Sequence, residues 1–306
     1  MVYLWDIYSY AMKITAISDI HGMISQINID PCDVLCICGD IIGLNDQRDM
    51  QKSEYWWTHK FVDWVNKQPC DRVIITVGNH DFYIESLYKS WELNDNYINF
   101  LDTIATLTNG KLVLLIDNEY IYKGIKFYGT PWINQINFQE SRWAFEDKSA
   151  YLADGFSLAF STIPKDVDVL LTHDSPIRNK NLAHYTKDIK YQAHFYGHWH
   201  GDKSYPFENK YNCSYLDDNY GVENKEMTLS VVKRINENKV IELKLLENLL
   251  AELKTSTDYN DRMLKLTSID EDNITDIDHE EDGMLTAYEN VFAYLEQKIK
   301  KLQDDN

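Results

Sequence analysis

No run of apolar residues in the chain approaches the roughly 18 needed to cross a bilayer. The opening stretch MVYLWDIYSYAMKITAISDIHG has no basic leader and no small-residue cleavage site, so it does not read as a secretory signal. Positive charge is also short. Against 49 Asp+Glu stand 30 Lys+Arg, a formal net charge of −19. That balance argues against duplex DNA or an anionic membrane as partner. Small anionic substrates stay open, because bound divalent cations supply local positive charge. Cysteine is scarce: Cys32, Cys36, Cys38, Cys70 and Cys213. The odd number and apolar settings point to reduced thiols and a cytoplasmic location. A zinc site on Cys32, Cys36 and Cys38 would want a second pair at finger spacing, and none follows. Cys36 and Cys38 read as small core residues.

What is plentiful is apolar and aromatic surface, 44% hydrophobic over 306 residues, enough for a sizeable core. The first two-thirds alternate between short β-rich runs and helical patterns. KITAISD (13–19), DVLCICGD (33–40), DRVIITVGNHD (71–81), KLVLLID (111–117), GIKFYGT (124–130), DVDVLLTHD (166–174) and HFYGHWH (194–200) read as strands. NKYNCSYLD (209–217) and MTLSVVKR (227–234) read as two more, paired with each other. Between them, residues 56–69 place Trp57, Phe61, Trp64 and Val65 at helical spacing, and Pro69 closes the run. Strand–helix alternation with continuous apolar strands implies an α/β fold, a buried sheet with helices outside.

One regularity carries the functional reading. Asp19, Asp40, Asn79, His173 and His198 each lie at or just beyond the C-terminal end of a strand-like run. In open α/β sheets that edge is where ligands bind. In FYGHWHGD (195–202), an extended chain would turn His198 and His200 to one side and Trp199 away. Two imidazoles aimed at one spot suggest a metal. The plain alternative is a pair of surface histidines.

In order, the chain presents Asp19-Ile20-His21, Gly39-Asp40, Gly78-Asn79-His80-Asp81, Thr172-His173-Asp174 and Gly197-His198-Trp199-His200. This series resembles the signature of the calcineurin-like metallophosphoesterase superfamily over residues 13 to 233. The resemblance implies a four-layer αββα sandwich of two mixed β-sheets flanked by helices. It implies two divalent metal ions, manganese first, with iron, zinc, cobalt or nickel also suited to mixed N and O ligands. By the same resemblance Asp19, His21, Asp40 and His200 hold one ion, and Asp40, Asn79, His173 and His198 the other. Asp40 would bridge. A hydroxide shared by the ions would attack a phosphoester, with His80 as the catalytic general acid that protonates the leaving oxygen. Asp81 or Asp174 would orient a neighbouring histidine, or Asp81 would cap the following helix. His59, His184 and His194 read as packing or surface residues, His194 being the nearest to the site.

Gly129-Thr130-Pro131-Trp132 followed by Trp143-Ala144-Phe145 is similar to a small-phosphodiesterase branch, the metallophosphoesterase-domain-containing proteins related to class III cyclic-nucleotide phosphodiesterases. After Gly39-Asp40 the chain reads Ile41-Ile42-Gly43 where the superfamily's protein phosphatases carry D-R-G. The expected function is therefore hydrolysis of a small phosphodiester or nucleotide. A nuclease is the alternative within the superfamily, and an inactive binding scaffold the alternative outside enzymes.

Residues 1–235 read as the catalytic domain, with 1–11 a dispensable extension ahead of Met12. Residues 131–165, rich in Trp132, Phe138, Trp143, Phe145, Tyr151 and Phe156, read as a cap or a satellite core. Residues 236–306 form an acidic helical C-terminal extension, with 18 acids and 8 bases over 237–306. In it, 268–282 reads as a solvated linker. Asp278, Glu280, Asp282, Gly283 and Glu289 nearly fit a calcium loop, but Glu280 stands where Asp or Asn is needed. Leu285, Tyr288, Phe292, Leu295, Ile299 and Leu302 make one apolar seam. The 284–303 helix would dock on the main domain or self-associate.

Overall fold

The computed structural model describes residues 9–136, 142–148, 155–200, 208–217, 219–222, 227–234, 237–255 and 289–301. The chain divides into two compact units, Ala11–Val232 and a second made of residues 1–10 and 233–306. The elements begin with β1 (Ser9–Ile17) and β2 (Val34–Cys38). Then α1 (Met50–Tyr55) runs through π-helical residues Trp56–Phe61 into α2 (Val62–Lys67). β3 (Arg72–Thr76), α3 (Phe82–Lys89), α4 (Asn96–Leu107), β4 (Leu112–Leu114), β5 (Asn118–Tyr122) and β6 (Ile125–Thr130) follow. Next come β7 (Val169–Thr172), α5 (Lys180–Thr186), β8 (Ala193–Tyr196), β9 (Lys210–Asn212), β10 (Met227–Arg234) and α6 (Glu237–Lys254).

Two five-stranded sheets form, in the orders β10-β1-β2-β3-β4 and β5-β6-β7-β8-β9. β1 through β4 pair in parallel. In the second sheet β5 and β6 form an antiparallel hairpin and β6 through β9 run parallel. Every residue of β2 is buried, as a strand covered on both faces requires. On one face Ile17, Leu35, Ile37, Val73 and Ile75 pack against Trp57, Phe61, Val65, Phe100 and Ile104 of the helices. Burying each of the larger side chains contributes about 1.5–3 kcal/mol. On the other, β2 and β3 meet β6 and β7. Tyr128 and Leu170 share a further core with Leu182 of α5. The α/β sandwich implied by the resemblance is the fold observed, with the C-terminal helices α6 and 289–301 following it.

Three expectations change. β9 and β10 do not pair with each other: β9 lies beside β8, and β10 beside β1 in the other sheet. Each borders a parallel array, and the chain between crosses from one sheet to the other through the Ser18–Ser214 bridge. β5 is a strand that the sequence does not announce, because its residues are mostly exposed at a sheet edge and carry no apolar alternation. β1 starts at Ser9, inside the stretch that reads as an extension.

In the smaller unit, Phe292, Leu295 and Ile299 of the apolar seam are buried. Lys254 of α6 pairs with Glu296 at 2.6 Å and lies over the Phe292 ring. Leu285, Tyr288 and Leu302, the 268–282 block and the near-calcium loop up to Gly283 lie outside the described residues, as do Phe138 and Tyr151.

Candidate metal centre

The strand ends converge as the motif positions imply. Asp19 follows β1, Asp40 follows β2, Asn79 follows β3, His173 follows β7 and His198 follows β8. To turn there, Asp19, His21, Asp40 and His198 take left-handed backbone, at φ 54°, 41°, 52° and 69°. Such strain in non-glycine residues costs of order 1–3 kcal/mol each and clusters at functional sites. Gly39 sits at φ 95°, and a Cβ there would collide with the His173 ring. A Cβ at Gly197 would collide with Ser18 Oγ and Asp19 Oδ2. The motif glycines are thus demanded by close approach.

Two groups of ligand-competent side chains result: Asp19 with His21 and His200, and Asp40 with His173 and His198. Within each, the candidate donor atoms lie within 4.8 Å of one another. Asp40 Oδ2 stands between them, 3.3 Å from His173 Nε2 and 4.0 Å from His21 Nε2. His200 Nε2 is 3.5 Å from Asp19 Oδ1 and 3.4 Å from His21 Nε2. Asn79 joins the second group, its Oδ1 2.9 Å from His173 Nε2.

The donor set fits a cation. His173 Nδ1 donates to the Cys38 carbonyl at 2.8 Å, and its Nε2 faces Asn79 Oδ1 and Asp40 Oδ2, both acceptors. Acceptors gathered this way demand a positive charge among them, a proton on Nε2 or a metal ion in its place. His200 repeats the pattern. Its Nδ1 donates to the Asp217 carbonyl at 3.0 Å while Nε2 faces Asp19. His21 Nδ1 is buried with no hydrogen-bond partner among the described residues. The protonation equilibria report the same demand. Burial opposes charge on His173, yet Asp40 beside it pushes the pKa up to about 10. Burial likewise opposes charge on His200, and Asp19 outweighs it, pushing the pKa up to about 9. Burial also resists ionisation of Asp19, yet His200 and His173 hold it down at about 2. His21 is pushed down to about 4, chiefly by burial and against the pull of Asp40.

The FYGHWHGD stretch differs from the extended reading. β8 ends at Tyr196, and the left-handed His198 breaks the alternation. His198 joins one group and His200 the other, while Trp199 lines the same cleft. Gly201 and Asp202 lie outside the described residues.

His80 belongs to neither group. Its Nε2 lies 3.8 Å from Asp40 Oδ2, its Nδ1 2.6 Å from Gln47 Oε1, and Trp143 lies over its ring at 4.7 Å between centroids. Burial lowers its pKa. Gln47 escapes a reading of the sequence because nothing in its spacing from Gly39-Asp40 marks it.

Neither carboxylate expected to orient a histidine does so. Asp81 makes no side-chain cap to α3. It accepts from the backbone N–H of Gly78 at 2.8 Å and of Ile41 and Ile42 at 3.2 Å, tying the loop after β3 to the loop after β2. Asp174 accepts from Trp199 Nε1 at 3.0 Å, Asn179 Nδ2 at 2.9 Å and the Ser175 N–H at 2.7 Å. His194 is a core residue of β8, its Nε2 2.8 Å from Thr172 Oγ1. His59 stacks on Tyr55 and His184 on Phe156. The 131–165 segment divides its aromatics: Phe145 is fully buried, while Trp143 lines the cleft. Cys36 and Cys38 are buried in β2, and no cysteine enters a ligand cluster among the described residues.

An α/β sandwich with carboxylates and imidazoles massed at its strand ends defines a protein with clusters fit to hold a metal ion. The chain belongs to the calcineurin-like phosphoesterase family, whose sequence model matches residues 12–202. It is 22% identical over 200 residues to Probable rhamnogalacturonate lyase C of Emericella nidulans, covering 62% of this chain and 17% of that protein. A UPF0046 protein of Caenorhabditis elegans is 22% identical over 255 residues, covering 72% of this chain and 60% of that one. The chain thus spans less than two thirds of these relatives' length. Among solved structures, TT1561 of Thermus thermophilus aligns at a TM-score of 0.44 and 13% identity, over 72% of this chain and all of that one. No helix among the described residues is long and apolar enough to cross a membrane.

Proposed function

We propose that the two groups each hold one divalent cation and that the protein hydrolyses a small phosphodiester or nucleotide. The observation that carries this reading is the pair of buried Asp and His clusters, in one of which His173 Nε2 lies 2.9 Å from Asn79 Oδ1 and 3.3 Å from Asp40 Oδ2. Asp19, His21, Asp40 and His200 serve one cation, and Asp40, Asn79, His173 and His198 the other, with Asp40 between. Mixed nitrogen and oxygen donors suit manganese first, and iron, zinc, cobalt or nickel as well. Two such cations supply Lewis acidity toward phosphate oxygens and toward water.

The chain's own residues do the rest. His80 donates through Nδ1 to Gln47 Oε1, because an amide oxygen only accepts. In the doubly protonated ring, which burial opposes and the neighbouring Asp40 favours, the second proton sits on Nε2, 3.8 Å from Asp40 Oδ2 and facing the cleft, placed to reach a leaving oxygen. Such general acid work contributes about 10²–10⁴ in rate. Trp143 packs against the His80 ring, tilted by 46° at 4.7 Å between centroids, and so restricts its rotation. The cleft measures about 550 Å³, within the roughly 300–1,000 Å³ of small-molecule sites. That size, with the net charge of −19, favours a small ester over long nucleic acid.

Turnover of bis-p-nitrophenyl phosphate with added manganese tests the reading. It is expected in the wild type and absent in Asp40→Ala. Cleavage of DNA or RNA strands alone, or no metal-dependent turnover of any ester, would overturn it.

A further inference from the structure

We infer that Cys32 and Cys70 form a redox-modification site, in which Cys32 attacks a small disulfide and Cys70 then closes an internal disulfide with it. The pair stands just ahead of β2 and β3, whereas Asp40 and Asn79 follow the opposite ends of the same strands. The site is thus separate from the metal centre, and its test is independent of the proposed hydrolysis.

The backbone brings the two thiols together. β2 and β3 pair from Val34 with Arg72 onward, and Cys32 and Cys70 each lie two residues ahead of that pair. The pairing continues beyond the strands: the Cys32 N–H donates to the Pro69 carbonyl at 3.1 Å, and the Asp71 N–H to the Asp33 carbonyl at 3.0 Å. Neighbouring strands lie about 4.8 Å apart, inside the roughly 4.4–6.8 Å that a disulfide spans between Cα atoms. Both side chains pack on the same helix-side core and are half-buried, while Cys36, Cys38 and Cys213 are buried. Two ammonium groups are tied down beside the pair, Lys13 Nζ on the Pro31 carbonyl at 2.6 Å and Lys111 Nζ on the Gln68 carbonyl. Positive charge there favours a thiolate. The neighbouring Cys70 thiol, as proton donor, holds the Cys32 pKa down at about 7, and Cys70 is itself pushed up by the same contact. Burial pushes up Cys36, Cys38 and Cys213. Cys32 is therefore the attacking sulfur and Cys70 the one that keeps its proton until the second step.

The Cys32 thiolate displaces one thiolate from the small disulfide and is left as a mixed disulfide. Cys70 then gives up its proton and attacks the Cys32 sulfur, releasing the second thiol. The pair loses two electrons, and the small disulfide is reduced to two thiols.

The experiment incubates the full chain with oxidised glutathione, alkylates the remaining thiols under denaturing conditions and reads the product by mass spectrometry. The wild type is expected to lose two of its five thiols, to carry no glutathionyl group and to yield a linked peptide joining Cys32 to Cys70. Cys70→Ser should hold one glutathionyl group on Cys32. Cys32→Ser should react at Cys70 at least about tenfold more slowly. Five free thiols in the treated wild type, a glutathionyl group that stays on Cys32, or a linkage to any other cysteine overturns the inference. So does reaction of Cys32→Ser at Cys70 as fast as that of Cys70→Ser at Cys32.

Discussion

His173 donates through Nδ1 to the carbonyl of Cys38, 2.8 Å away, and so fastens the end of β7 in one sheet to the end of β2 in the other. One ring thereby serves the fold and the site. His173→Ala should lose one of two bound manganese equivalents, counted by plasma mass spectrometry. It should also melt lower, by about 1 kcal/mol for the lost hydrogen bond between the sheets, the Cys38 carbonyl keeping its bond from Ser18 Oγ at 2.9 Å. Two retained equivalents would refute the ligand assignment.

His80 and Gln47 form a hydrogen-bonded pair outside both metal groups. His80→Ala is expected to keep both equivalents and lose about 10²–10⁴ in kcat. Gln47→Ala should lose less, about tenfold, since only ring orientation is affected. Departure of metal from His80→Ala would show the role to be wrong.

The Asp81 carboxylate gathers three backbone N–H groups from two loops. Asp81→Ala leaves them buried without that acceptor and should cost about 3 kcal/mol or more in urea unfolding. Asp81→Asn keeps one acceptor oxygen and should cost less. Equal stability of all three proteins would remove the carboxylate's structural role.

Stability should fall in mild acid partly because of His194. Thr172 Oγ1 donates to the Asp174 carbonyl, so His194 Nε2 donates to Thr172. Burial, helped by Lys210, lowers the His194 pKa from 6.5 to about 3. Below pH 6.5 the unfolded imidazole binds a proton that the folded one refuses, so stability is lost as pH drops toward 3. At pH 5 the loss amounts to about 2 kcal/mol. His194→Gln, which can still donate to Thr172, should show a smaller drop in urea midpoint between pH 7 and pH 5. An unchanged drop would assign the acid sensitivity elsewhere.

Chelation should lower the melting temperature, and manganese should restore it. A cation at 100 times its dissociation constant adds about 2.7 kcal/mol per site. A melting curve indifferent to both treatments would count against any metal site here.

Much of this centre is legible in the sequence because its chemistry needs particular residue types at strand ends, and those ends are marked by glycine and by short β-branched runs. Asp19, Asp40, Asn79, His173 and His198 can be placed that way. What cannot be read is what depends on pairing across distance. Nothing local tells β10 to join β1 while β9 joins β8. Asp81 looks like a helix cap in sequence because its partners, Ile41 and Ile42, lie some forty residues upstream. Gln47 has no motif of its own. The orientation of Trp199 departs from the extended expectation because a left-handed residue, His198, interrupts the run.

The π-helical residues Trp56–Phe61 between α1 and α2 have a consequence well away from themselves. The wide turn puts the two flanking segments out of phase with a single α-helix, where each residue advances about 100°. Ser53 of α1 holds the Asp46 carbonyl through its hydroxyl at 2.9 Å, and Asp46 immediately precedes Gln47. Deleting one residue from 56–61 would regularise the ladder but swing Ser53 around the cylinder. The support beneath Gln47 would rotate with it. The aim of the His80 proton is thus geared to a helical irregularity that touches none of the reacting groups.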